Sequence, residues 1–166
     1  MKYKKIIIKF IINHFLCCTR FFKLKRRLLS FSGIQTGKNT KIVGPIFFGN
    51  NIDIFIGDNC WIGKNISFDG DGKVFIKNNV DIAPNVVINT GGHEIGSKIR
   101  RAGTGMKNTI TIGNGCWIGT GVLIINDIII ESGVVVAAGS VVVKNVSKNL
   151  LVAGVPAKIK RRLSND

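Results

Sequence analysis

The chain has 166 residues, 24 Lys and Arg against 9 Asp and Glu, and a formal net charge of +15. That length suits one domain and leaves no room for a catalytic domain beside a separate cofactor domain, while 45% hydrophobic residues and a mean hydropathy of +0.27 exclude a disordered polycation. Twenty glycines with abundant Ile, Val and Asn predict many short strands joined by tight turns, on a chain that attracts nucleic acid, an anionic membrane or a phosphorylated small molecule.

Residues 1–33 read as a basic N-terminal segment. No acidic residue precedes Asp53, whereas Lys2, Lys4, Lys5, Lys9, Arg20, Lys23, Lys25, Arg26 and Arg27 crowd the start. The run IIIKFIINHFLCC over 6–18 has the look of a signal-peptide core. Lys9, Asn13 and His14 interrupt it, no small-residue cleavage site follows, and it is short for a membrane span. Wound as a helix, it gathers Ile8, Ile11, Ile12, Phe15, Cys18 and Phe22 on one face and Lys5, Lys9, Asn13 and Arg20 on the other. Such a stripe suits either a membrane surface or packing on the rest of the protein. Adjacent Cys17 and Cys18 make a poor disulfide pair, and with Cys60 and Cys116 they match no zinc spacing, so all four read as free thiols in a reducing compartment.

From Ile112 a β-branched aliphatic recurs every six residues: Ile112, Ile118, Ile124, Ile130, Val136 and Val142. Four residues after each stand Cys116, Val122, Ile128, Val134, Ser140 and Val146. A helix does not repeat at six and a lone amphipathic strand repeats at two, so the period predicts very short strands separated by turns, a hexapeptide parallel β-helix. The register extends back through Ile88, Ile82, Ile76, Ile62 and Ile56, and weakly to Ile42 and Thr36. Between Ile62 and Ile76 two residues are extra, at Asp69-Gly70-Asp71-Gly72. The 24-residue step from Ile88 to Ile112 reads as one hexad plus an 18-residue excursion, because 89–109 lacks the apolar pattern. If three hexads make one coil, Cys60-Trp61-Ile62-Gly63 and Cys116-Trp117-Ile118-Gly119 share a face two or three coils apart, which puts the thiols about 10 Å or more from each other. The N-terminal helix is a natural cap for the exposed strand edge, and residues 157–163 after Pro156 read as a short C-terminal helix. The predicted organisation is thus 1–33, a β-helix over 34–156 carrying the 89–109 loop, and a helix and tail over 157–166.

Residues 34–162 resemble the hexapeptide-repeat acyltransferases, and among them the maltose, galactoside and nodulation-type O-acetyltransferases and related polysaccharide acetyltransferases. The likeness rests on Gly91-Gly92-His93 before a glycine-rich basic loop, then ITIGNGCWIGTGVLI, AAGSVVVKNV and AGVPAKIKR in that order. It implies an all-β solenoid with a left-handed coil, acetyl-CoA as co-substrate, no metal, and a homotrimer with active sites between subunits. It also implies His93 as the catalytic base, a role for which a neutral imidazole suits a hydroxyl nucleophile. The oxyanion donor would be the Thr120 backbone N–H of the adjacent subunit. Thr120, Ala138 and Lys144 match positions along the pantetheine arm, and Lys158 and Arg161 match basic positions near the phosphates. Val143 departs from the family's usual threonine, which removes one polar contact. Trp117 walls the cleft or covers a coil face, and the same choice stands for Trp61. Asp71 falls near the acceptor-binding acid or serves turn chemistry, and Asn85 reads as a turn residue.

The maltose and galactoside enzymes begin with an acidic acceptor-binding helical segment, whereas this segment is basic and apolar. That favours a lipid-linked or polymeric glycan of the capsule, O-antigen or exopolysaccharide type, met in the cytoplasm at the inner face of the membrane through residues 1–30. The alternatives are a non-sugar hydroxyl acceptor such as serine or an antibiotic, and a non-catalytic β-helix. Serine acetyltransferases carry a long helical N-terminal domain for which this chain has no room, and a sugar-nucleotide N-acetyltransferase usually carries an extra α/β domain. A γ-class carbonic anhydrase needs three zinc-binding histidines and the chain has two. Nucleic acid is not expected as a partner, since no recognised module or interleaved aromatics accompany the charge, and no Gly-x-Ser-x-Gly elbow is present.

Overall fold

The computed structural model describes residues 2–164; residue 1 and residues 165–166, the ends of the predicted terminal segments, lie outside them. Two helices, α1 (Lys2–Phe15) and α2 (Phe22–Phe31), precede a parallel β-solenoid of about six turns. Its strands stack on three faces. The first holds Gln35–Thr36, Asp53–Ile56, Lys73–Ile76, Thr109–Ile112 and Ile128–Ile130. The second runs Lys41–Ile42, Trp61–Ile62, Asp81–Ile82, Trp117–Ile118, Val135–Val136 and Leu150–Ala153. The third holds Ile46–Phe48, Ile66–Asp69, Val87–Asn89, Leu123–Ile125 and Val141–Val142.

The hexad register maps directly onto the core. Ile42, Ile62, Ile82, Ile112, Ile118, Ile124 and Ile130 are fully buried, as are the partners two residues earlier such as Val80, Val86, Ile110 and Val122. With side chains alternating across a strand, these two positions point into the prism and the residue between them points out. Corners are turned by residues in the left-handed region, Asn59, Asn65, Asn79 and Asn85 in the early coils and Gly115, Gly121, Gly133 and Gly139 in the later ones, conformations that asparagine and glycine tolerate best. Asn85, with φ 61°, is therefore a turn residue. The extra pair at Asp69–Gly72 lengthens one corner, and the same corner one coil earlier is lengthened at 49–52. Ile88 lies in a third-face strand and Ile112 ends the next first-face strand, so the 24-residue step is one hexad plus an excursion. Trp61 and Trp117 both register with Asp81, which puts Cys60 and Cys116 two coils apart. Both thiols are buried and free, and burial pushes each above its ordinary pKa.

Two sequence expectations fail. Residues Lys158–Arg162 form a strand, antiparallel to Leu150–Ala153, and no helix follows Pro156 among the described residues. The Ala-Lys-Ile-Lys-Arg-Arg string has good helix propensity, but the last second-face strand has an open edge, and pairing with it satisfies more backbone than one isolated helical turn.

The second fails only in part: Ile8 and Ile12 of the apolar stripe of the N-terminal helix enter the core, but its polar residues face the solenoid as well. The chain breaks after Phe15, which is exposed, and α1 turns Lys5, Ile8, Lys9, Ile12 and Asn13 toward the solenoid. Lys5 Nζ donates to the carbonyls of Asn50 (2.8 Å) and Ile52 (3.2 Å), and Lys9 Nζ to that of Phe48 (3.0 Å). Asn13 bridges Ile46 on both sides, Nδ2 to its carbonyl and Oδ1 from its N–H, each at 2.9 Å. Four helical residues rise about 6 Å and two strand residues about 6.6 Å, so polar side chains at i, i+4 and i+8 track successive outward-pointing carbonyls of the first coil's third-face edge. Burial lowers the Lys5 pKa, an effect that Asp53 partly offsets. On α2, Arg26 donates to Thr40 O at 2.9 Å and the fully buried Lys25 to Cys18 O at 2.6 Å. The N-terminal segment caps the solenoid with Lys5, Lys9 and Asn13 on the strand edge and Ile8, Ile12 and Leu16 in the core.

Candidate active site

The excursion at 90–108 is an antiparallel hairpin, Gly91–Ile95 with Ala102–Lys107, that leaves the corner between the third and first faces. Its root is held by Thr90, which is fully buried. The Thr90 hydroxyl donates to Asp69 O at 2.9 Å and accepts from Gly72 N at 3.0 Å, tying the hairpin to the lengthened turn one coil below. Asn89 Oδ1 accepts from Gly91 N at 2.8 Å and stiffens the exit. Sequence reasoning missed Thr90 and Asn89, since their only signal was their place beside Gly91-Gly92-His93. Replacing Thr90 by valine keeps the shape and removes both bonds. The expected cost is about 1–3 kcal/mol, read as a lower melting temperature, together with a looser hairpin.

His93 is exposed on the hairpin, and its Nδ1 lies 2.9 Å from Gly103 O. A carbonyl only accepts, so Nδ1 is the donor in this bond and Nε2 is the ring nitrogen left for a substrate. Asp71 is exposed in the turn beneath, within 3.3 Å of Asn51 Nδ2. Gly70 of that turn packs so closely on the hairpin that a Cβ there would meet Gly91 N. His93 and Asp71 therefore share one corner, on adjacent coils.

Trp117, Thr120 and Ala138 gather elsewhere, at the corner between the second and third faces. With Ala83, Val135 and Leu151 they line a groove of about 360 Å³. Trp117 is 58% exposed and forms a wall, whereas Trp61 two coils away packs edge to face on Phe22 of α2 at 6.2 Å and stays partly exposed. Gly119 must be glycine because a Cβ would lie 2.5 Å from Ala138 N on the next coil. Gly119 N donates to Val136 O and Gly121 N to Pro84 O, while the Thr120 N–H between them has no hydrogen-bond partner among the described residues. Lys158 and Arg161 are exposed on the edge strand, where Arg161 registers with the groove residue Leu151. Lys144 is exposed at a different place, lining a smaller cavity of about 100 Å³ with Ala157 and Ile159. One chain thus carries an exposed imidazole with a carboxylate at one corner, and an apolar groove with an unpaired Thr120 N–H and neighbouring cations at another.

A three-sided parallel solenoid of hexads broken by one histidine hairpin defines the class of hexapeptide-repeat proteins. No family model matches the sequence. The galactoside O-acetyltransferase of Escherichia coli is 36% identical over 129 residues, 78% of this chain and 64% of that protein. A Staphylococcus haemolyticus protein that carries an acetyltransferase name is 37% identical over 131 residues, 79% of this chain and 68% of that protein. The solved hexapeptide-repeat acetyltransferase of Vibrio cholerae, complexed with acetyl coenzyme A, superposes with TM-score 0.81 at 27% identity, covering 99% of this chain and 87% of that one. The chain belongs to the hexapeptide-repeat acetyltransferases, and its coil is the left-handed β-helix of that family. The match spans about 64% of the length of the galactoside enzyme.

Proposed function

We propose that this protein is an acetyl-CoA-dependent O-acetyltransferase that modifies a hydroxyl of a sugar or polysaccharide, with His93 as general base. The observation that carries the reading is the Nδ1 bond of His93 to Gly103 O, which fixes the tautomer a base needs. The groove fits the donor: Trp117, Val135, Ala138 and Leu151 offer apolar walls to a pantetheine arm, and Lys158 and Arg161 offer point charges to its phosphates. Lys144 lies apart from that groove within one chain and reaches a donor only if a neighbouring subunit contributes.

Acetyl-CoA supplies an activated acyl carbon and a thiolate leaving group. His93 Nε2 takes the acceptor hydroxyl proton as the oxygen attacks, then returns it to the departing sulfur. The Thr120 N–H donates to the oxyanion between these events. Asp71, beside the hairpin root, accepts hydrogen bonds from the sugar hydroxyls. His93 and Thr120 occupy different corners of one prism, and the hairpin residues Ile95 and Ile99 are 88% and 92% exposed. Both features support a homotrimer in which the hairpin of one subunit meets the groove of the next. A glycan assembled at a membrane would bring the acceptor to the end of the solenoid that carries α1 and α2.

The test is incubation of the protein with acetyl-CoA and a panel of mono-, oligo- and polysaccharides, reading free coenzyme thiol. Acceptor-dependent thiol release with a glycan supports the reading. Coenzyme binding without release for any sugar refutes the sugar assignment.

A further inference from the structure

The cap has a second side. Because α1 spends Lys5, Lys9 and Asn13 on the strand edge, the surface it turns away from the solenoid is apolar where an ordinary surface helix is polar. Tyr3, Ile6, Ile7, Phe10 and Phe15 of α1 stand outward, joined by Leu24 and Phe31 of α2, with exposures from 44% at Leu24 to 82% at Tyr3. Scattered surface hydrophobics need no explanation, but seven exposed aromatic and long aliphatic side chains on two neighbouring helices do.

The charges around that patch have one sign. Lys4, Arg20, Lys23 and Arg27 are exposed on these helices and their connection, and no acidic residue occurs before Asp53. Neither helix is long and apolar enough to cross a membrane. Apolar side chains flanked by cations on short helices match the interface of a bilayer, where rings enter the acyl boundary and cations meet anionic headgroups.

We propose that the outward face of α1 and α2 docks the protein flat on an anionic lipid surface. The docking depends only on this face and stands apart from the acyl chemistry, for which it names the place where a membrane-borne acceptor is met. Lipid association and acetyl transfer are therefore read separately.

The full chain is sedimented with phosphatidylcholine vesicles and with phosphatidylcholine–phosphatidylglycerol vesicles at low and physiological salt. Binding is expected to the anionic vesicles only, weakening as salt rises. Ile7→Ser with Phe10→Ser is expected to lower the partition coefficient about tenfold or more, and Lys23→Glu with Arg27→Glu to abolish the preference for anionic lipid. Both variants change exposed side chains and should keep the parent melting temperature and its thiol release with a soluble acceptor. Absence of binding to anionic vesicles overturns the proposal, as does full binding by the Ile7/Phe10 variant. Dissociation of the oligomer in that variant, measured by light scattering, also overturns it and makes the face a protein interface.

Discussion

Replacing His93 by alanine is expected to lower acetyl transfer by about a hundred- to ten-thousand-fold, with coenzyme A binding unchanged. The split follows from the geometry: His93 belongs to the corner with Asp71, whereas the groove walls that suit the coenzyme are Trp117, Ala138 and Leu151 at another corner. Binding is read by quenching of Trp117, which lines the groove, whereas Trp61 lies two coils away against Phe22. The loss should appear in kcat with glycan acceptors. A rate that survives the substitution removes His93 from the role of base and leaves the hairpin without a task in proton transfer. Gly103 contributes only a backbone carbonyl to the histidine, so the aim of the ring is fixed by hairpin geometry, and Thr90 at its root is where that geometry is secured.

The second large effect concerns stability. Phe68 is fully buried on the third face, in register with Phe48 in the coil before and Ile88 in the coil after. Phe68→Ala is expected to cost about 3–5 kcal/mol through lost burial and an unfilled cavity, a fall in melting temperature of roughly 10 °C or more. Phe68→Leu should cost much less because it refills most of the volume. Each coil touches only its neighbours, so the damage centres on the coils joining the N-terminal cap to the hairpin. A calorimetric scan of the three proteins decides it, and near-equal melting points would mean that the coil collapses around the void.

The solenoid itself was legible because its information is one-dimensional. Ile112, Ile118, Ile124 and Ile130 all answer one question, which side chains point inward, and a strict period of six admits one arrangement. The excursion after Ile88 was legible for the complementary reason, since 89–109 carries no inward pattern. Three features were not. The facing of α1 depends on carbonyls of Ile46, Phe48, Asn50 and Ile52 that lie 33 to 47 residues away in the chain. A helical wheel sees Lys5 and Lys9 as solvent seekers, because it does not contain the unpaired edge that competes for them. The strand at Lys158–Arg162 likewise owes its form to the partner edge at Leu150–Ala153. Thr90 is one threonine among several, and only the stacking of the 69–72 turn beneath the hairpin makes its hydroxyl a staple. For the candidate site, the motif order singled out His93, Thr120, Ala138 and Trp117, and the last three line one groove. The separation of His93 from them by a corner of the prism follows from the topology alone.

The ladder of Lys5, Lys9 and Asn13 also sets how long this molecule is. A parallel solenoid has no intrinsic last coil, since its leading edge presents the same carbonyl and amide spacing that any coil uses to accept the next. Left bare, that edge would recruit the trailing coil of another molecule, and the product would be a growing filament. Ammonium groups and one carboxamide occupy the bonding positions and offer no strand in return. Side chains of the first helix thereby occupy the carbonyls at which a further strand would pair on this edge.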